Sequence, residues 1–347
     1  MAPNLLTLLD SGQPIFYTAI FENLNPQDTV RLLATCRQTH ALTKHIFNVN
    51  VLLRPFFTDP LAFRQVMADN DLIVGGSMAL RLFSREKWQS SDVDVYTKSQ
   101  GSVPIVAKFL VKEGYQFKPY AWQAANLEKT LRLSDSARQR SKKVTKPIDL
   151  ARVGEGARVY ENVMDVYAFV HEKTGRKVEV ILAEHTILKV ILSYYATYVM
   201  NFFSYRTAFS LFASMTFRKK LGFYVPLETL SIEPGERTLR AVAKYHDRGY
   251  KIHNMWSDED KVFVRSRTVG DCDTWVLPLS LDGIKAPTSK KESQGTEFIV
   301  RSKLGAWRDS VPSYGDFERD YCSILVRKRL EQADSLILES PPYRDII

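Results

Sequence analysis

Apolar positions along this chain follow two rhythms. Over residues 71–97, DLIVGGSMALRLFSREKWQSSDVDVYT, the apolar run Leu72-Ile73-Val74 ends on Gly75-Gly76-Ser77. This predicts a strand over 71–75 and a helix over 77–84. The next run, Asp92-Val93-Asp94-Val95-Tyr96, alternates with period two and predicts a strand over 92–97. Alternation puts Asp92 and Asp94 on one face, Val93 and Val95 on the other. Further on, Val163–Val170 and Lys177–Ala183 flank Lys173-Thr174-Gly175-Arg176, the pattern of a β-hairpin. Glu179 lies inside the second of these strands.

Helical spacing predicts helices at Pro60–Met67, Val103–Glu113 (ending at Gly114), 236–247 and 316–333, with a long one over Ile187–Phe203. Strands are expected near 261–265 and 274–279, and a Gly/Ser/Lys-rich loop at 283–295. Near the N-terminus, Asn25-Pro26-Gln27-Asp28 reads as a helix start. Asn25 can cap, Pro26 suits the first helical position, and Asp28 favours the positive end of the helix dipole. Residues 128–158 read as an exposed loop or partly disordered basic insertion, carrying Arg132, Arg138, Arg140, Lys142, Lys143 and Lys146.

Composition narrows the class. The 347 residues are 45% hydrophobic and 25% charged, a globular balance with room for two or three modest domains. The net charge of +9 favours anionic partners: nucleotides, nucleic acid or acidic proteins. Cys36, Cys272 and Cys322 are widely spaced, as expected of reduced thiols in a cytoplasmic or nuclear protein. The most apolar window, between Lys189 and Arg206, holds Ser193, Thr197, Asn201, Ser204 and four tyrosines, which argues against a membrane span. The six histidines have no ligand spacing, and neither a P-loop nor a nucleophile-elbow motif occurs.

Asp92 and Asp94 are the chemical signal. Two carboxylates side by side on a strand repel each other and become useful when a divalent cation sits between them. Oxygen-only ligands on a strand suit Mg²⁺ or Mn²⁺ rather than zinc. The Gly-Gly-Ser element before a helix presents backbone N–H groups and a hydroxyl to an anion. Three other D-x-D pairs (Asp69/Asp71, Asp258/Asp260, Asp271/Asp273) sit in polar, turn-like contexts. Glu179 is either a third cleft carboxylate or an outward residue paired with Lys177.

Gly75-Gly76-Ser77, Asp92-x-Asp94 and a later strand acid together resemble the nucleotidyltransferase superfold of the DNA polymerase β type. The resemblance implies an α/β (α+β) fold, a mixed sheet flanked by helices. It implies that the 75–77 backbone and Ser77 contact NTP phosphates, and that Asp92, Asp94 and Glu179 form the catalytic and metal-binding triad for Mg²⁺ or Mn²⁺. Arg81 and Lys189 are candidate phosphate-neutralising cations. Glu179 comes 85 residues after Asp94, a gap the basic insertion accounts for. More narrowly, the chain resembles a group of fungal proteins with this core, whose later helix reads roughly Phe-His-Ser-Thr-x-Val-Met-Asn. Here Thr197, Val199, Met200 and Asn201 agree, while Tyr195 and Ala196 replace His and Ser. If that pair assists chemistry in relatives, activity here is altered or lost.

Residues 13–47 resemble an F-box through Pro14, Ile20, Leu24, Asp28, Leu32, Leu33, Cys36 and Arg37, with Gln13-Pro14 in place of Leu-Pro. That implies a Skp-type adaptor as partner. The expected organisation is an F-box-like segment at 1–50, a nucleotidyltransferase-like core at 51–225, and an α+β extension at 226–347. The expected function is Mg²⁺-dependent transfer of a nucleoside monophosphate from NTP to a hydroxyl. The alternative is a catalytically degenerate binding module acting as an F-box-type adaptor in ubiquitin ligation.

Overall fold

The computed structural model describes residues 19–88, 91–133, 162–184, 186–223, 236–253, 266–285, 287, 297–302 and 322–326. Pro14 and most of the basic insertion lie outside these residues, as do 261–265 and nearly all of 286–295.

The protein is mixed α/β, with a large mixed sheet flanked by helices. Among the described residues the N-terminal part is helical, with α1 (Pro26–Leu33), α2 (Arg37–Ala41), α3 (Thr43–Ile46), α4 (Val49–Leu53) and α5 (Pro60–Asn70). Asn25 caps α1, its Oδ1 accepting from the Asp28 N–H at 2.8 Å. Asp59 does the same for α5, accepting from the Ala62 N–H at 2.9 Å. Strand β1 (Ile73–Gly75) runs into α6 (Gly76–Ser84), followed by β2 (Val93–Thr97), α7 (Ser102–Lys112), β3 (Tyr115–Phe117), β4 (Val163–His171) and β5 (Lys177–Ala183). Then come α8 (Ile187–Leu192), β6 (Asn201–Phe203), β7 (Thr207–Ser210), α9 (Ala213–Arg218), β8 (Leu221–Phe223), α10 (Glu236–Asp247), β9 (Lys251–His253), β10 (Ser266–Thr268), β11 (Trp275–Pro278), β12 (Glu297–Ser302) and β13 (Cys322–Val326).

The main sheet has eight strands in the order β11-β7-β6-β1-β2-β5-β4-β3. Every neighbouring pair is antiparallel except β2–β5, which is parallel. Alternation gives the central strands two apolar faces. Val74, Val93, Val95, Val178, Val180 and Leu182 share one core with α5, α6 and α7. Tyr96, Ile181, Ala183 and Phe202 share a second with α8 and with Leu211, Phe212 and Met215. Among the described residues no helix is long and apolar enough to cross a membrane.

The N-terminal helices join the first core. Phe21, Val30, Leu33 and Phe47 are buried in it beside Phe83 and Trp275. Arg85, at a left-handed φ of 57° after α6, donates to the carbonyls of Phe21 (2.5 Å) and Leu24 (2.6 Å) and to Thr29 Oγ1 (2.6 Å). The Trp275 ring meets Phe47, Phe83 and Phe217 at 5.4, 4.9 and 5.5 Å. One tryptophan thereby joins the N-terminal helices, α6, α9 and the edge strand.

Three expected elements are corrected. The helix over Ile187–Phe203 stops at Leu192; a 3₁₀ turn spans Thr197–Val199, and Asn201–Phe203 is strand β6. The segment's tyrosines, Thr197 and Val199 are weak helix formers, and β6 gains ladders on both sides, with β1 and β7. The helix over 316–333 is replaced, within the described residues, by β13, paired antiparallel with β12. A partner strand is invisible to local periodicity. The basic insertion begins as a helix, not a loop, over residues 127–133. Asn126 caps it by accepting from the Lys129 N–H at 2.8 Å, and the buried Thr130 hydroxyl donates to the Asn126 carbonyl at 3.0 Å.

Candidate functional site

The site grows from the ladder. Gly75 on β1 pairs with Asp94 on β2, and Asp94 pairs with Glu179 on β5. The start of α6 and the two carboxylates are therefore neighbours across three adjacent strands. Asp92 is two residues before Asp94, on the same face. These groups line a cleft of about 240 Å³ with Gly76, Ser77, Tyr96, Ile181, Tyr194, Tyr195, Lys244 and Tyr245 among its walls.

Gly76 is needed at the floor. Its φ is +63°, and a Cβ there would lie 2.8 Å from Asp94 Oδ2. Both facts exclude a side chain and let the carboxylate sit directly over the first turn of α6. Gly75 acts differently. A Cβ on it would meet the Tyr96 ring at 2.9 Å and Ile191 Cδ1 at 3.0 Å, so its bareness lets α8 close on the sheet. Ser77 is buried.

Glu179 combines both sequence readings. Its side chain is buried in the cleft, opposite Asp94, and is also ion-paired, its Oε1 lying 2.9 Å from Lys177 Nζ. The Tyr120 hydroxyl donates to the same oxygen. Among the described residues, no three His, Cys, Asp or Glu side chains are grouped to hold a metal ion. The hard oxygen donors of Asp92 and Asp94, and the space that Gly76 leaves against Asp94, fit a divalent cation. Glu179 lies in the same cleft, engaged by Lys177 and Tyr120.

Of the candidate phosphate contacts, Gly76 and Ser77 line the cleft; Gly75, Arg81 and Lys189 do not. Arg81 lies one turn beyond Ser77, its Nη1 3.7 Å from Met78 Sδ. Burial, then Arg248 and Arg176, hold its guanidinium below the usual range. Lys189 precedes the cleft-lining Val190 by one position, and 100° of helix rotation turns it off the lining.

Among the described residues, the cation that lines the cleft is Lys244, on α10, with Tyr245 and Ala241 beside it. Partial desolvation, then Arg248, hold the Lys244 ammonium below its ordinary value, while Asp92 and Asp94 pull it back up. Its side chain is otherwise exposed to solvent, which screens these effects. Burial pushes the hydroxyls of Tyr195 and Tyr245 up, so both stay neutral at physiological pH. Tyr96 and Tyr194 hydrogen-bond through their hydroxyls and tie β2 to the segment after α8. Sequence reasoning finds α10 but not Lys244 or Tyr245, because nothing local marks a helix far downstream as a wall of this cleft.

Comparison with protein-family models, curated proteins and solved structures found no match.

Proposed function

We propose that this cleft binds a nucleoside triphosphate and transfers its nucleoside monophosphate to a hydroxyl acceptor. The observation that carries this is the meeting of Gly76, Ser77, Asp92, Asp94 and Glu179 in one cleft, with Lys244 on the facing wall. In this reading the first turn of α6 and the Ser77 hydroxyl hold phosphate oxygens, and Lys244 offsets their charge. Asp92 and Asp94 would hold Mg²⁺ or Mn²⁺, which supplies charge neutralisation on the phosphates. A bond forms between the acceptor oxygen and the α-phosphorus; the α-phosphorus bond to the bridging oxygen breaks and pyrophosphate leaves. The hydroxyl proton passes to a cleft carboxylate, with Glu179 nearest the acceptor side.

A second reading has a specific observation behind it. Glu179 is already engaged by Lys177 and Tyr120, as suits a cleft that binds a ligand without turning it over. In that reading the protein is a recognition module, and residues 13–47 recruit a Skp-type adaptor. Calorimetry with a non-hydrolysable NTP, with and without Mg²⁺, tests nucleotide binding, which both readings allow. Release of pyrophosphate from NTP in the presence of candidate acceptors separates them. A wild-type protein that binds no nucleotide under either condition sinks the transferase reading.

A further inference from the structure

The cleft is polarised along the sheet. Gly76 and Ser77 stand at its β1 side, Asp94 on β2, Glu179 on β5, and Val163 on β4. The far side carries an aromatic pair outside the cleft wall. Tyr120, which donates to Glu179, stacks on Trp122 with ring centroids 4.6 Å apart and planes within 1°. Trp122 remains 40% exposed. Its loop is not slack. The Tyr120 N–H donates to Gln123 Oε1 at 3.0 Å, and the Gln123 N–H donates to the Tyr120 carbonyl at 2.9 Å. Gln123 Nε2 donates to Asp165 Oδ1 at 3.0 Å and to the Val166 carbonyl at 2.9 Å, while the Lys118 N–H donates to the Ala168 carbonyl at 2.9 Å. Five hydrogen bonds thus fix the loop on either side of Trp122, whose indole is held by its stack on Tyr120 and left partly in solvent, where the hydrophobic effect alone would not leave it.

We infer that Trp122 is a stacking platform for the nucleobase of the acceptor, so that the acceptor is the end of a single-stranded nucleic acid. This rests on the transferase reading of the cleft. A rigid, flat, half-exposed indole backed by a parallel tyrosine offers a π-face to a planar heterocycle and no hydrogen-bond pattern to select among bases. Its connection through Tyr120 to Glu179 puts the stacked base on the side of the cleft away from Gly76 and Ser77, where the reacting hydroxyl would enter. The chain's net charge of +9 suits a polyanionic acceptor.

The test uses the full chain and a 5′-labelled five-nucleotide single strand, read by fluorescence anisotropy at fixed salt. Its partner probe is the same strand with an abasic 3′ residue. Stacking of one base predicts that removing the terminal base weakens binding about five- to a hundredfold. Trp122→Ala should weaken the intact strand equally and leave the abasic strand unchanged, while Trp122→Phe should keep most of the affinity. Equal binding of intact and abasic strands, or a Trp122→Ala protein that binds as wild type, overturns the platform. Calorimetry with ATP and Mg²⁺ on the same proteins keeps the two ideas apart. Nucleotide binding without base-dependent strand binding removes the platform and leaves the cleft reading standing. Base-dependent strand binding without nucleotide binding removes the transferase reading and leaves the platform.

Discussion

Asp94 and Glu179 occupy paired positions on two parallel strands, and both side chains enter one cleft. Glu179 is ion-paired with Lys177 at 2.9 Å and accepts from the Tyr120 hydroxyl. Asp94 lies over the bare Gly76. The two carboxylates thus sit in unlike surroundings.

That contrast predicts different outcomes for the two neutral variants. Asp94→Asn should abolish any Mg²⁺- or Mn²⁺-dependent rise in melting temperature in the presence of NTP. Glu179→Gln should lower stability in the absence of metal by about 1–2 kcal/mol. The buried-pair penalty is discounted here because Lys177 keeps partial contact with solvent. It should also retain a larger share of the metal response than Asp94→Asn. Thermal melts of the three proteins, with and without metal and NTP, check both. Identical metal responses in wild type and Asp94→Asn would remove Asp94 as a ligand.

Gly76→Ala tests the floor of the cleft. The new methyl group meets Asp94 Oδ2 at 2.8 Å on a backbone at φ +63°. The left-handed conformation alone costs about 1–2 kcal/mol for a residue with a Cβ. Urea denaturation should show at least that loss, and nucleotide binding should fall further than the stability change explains. Gly175→Ala, also at positive φ but with nothing near the added Cβ, is the control for the backbone cost alone.

Removal of the N-terminal helices is expected to unfold the protein rather than release an intact core. Phe21, Val30, Leu33 and Phe47 are packed against the same core as Phe83 and Trp275. Arg85→Met should cost about 1.5–3 kcal/mol, since its charged guanidinium satisfies two carbonyls and a hydroxyl of that segment. Trp275→Ala should cost about 3–5 kcal/mol. A protein shortened to begin after residue 47 that melts cooperatively near the wild-type temperature would show the helices to be an independent unit.

Alkaline pH should expose the tyrosine cluster. Burial pushes the Tyr198 hydroxyl up to about 12 from an ordinary value of 10.0, and it pushes Tyr195, Tyr245 and Tyr250 up as well. A raised folded value contributes stability that is full below pH 10 and is lost as pH climbs through the folded value. Stability should therefore fall steadily above pH 10. Absorbance at the phenolate band should show these tyrosines ionising together with unfolding, not before it. Their free titration near pH 10 in a folded protein would contradict the burial.

Local pattern and backbone chemistry were enough to determine several elements of this protein. Alternation in Val163–Val170 and Lys177–Ala183 around Gly175 specifies the β4–β5 hairpin. Asn25 before Pro26 specifies the start of α1, and helical spacing specifies α10 over the residues 236–247 that form it. The Asp92/Asp94 pair and the Gly76-Ser77 helix start were legible too, because period two and a glycine before a helix are properties of neighbouring residues. Tertiary structure decided the rest. Asn201–Phe203 became a strand because it lies between β1 and β7, and Cys322–Val326 because β12 lies beside it. Glu179 met Lys177, Tyr120 and Asp94 at once only when β5 docked parallel to β2. Lys244 displaced Arg81 and Lys189 as the cleft's cation because α10 packs across it, whereas Lys189 is turned off the lining and Arg81 sits a turn too far along α6. Ladder partners and cleft walls are chosen among segments far apart in the chain, by how completely each arrangement buries apolar surface and satisfies backbone polar groups.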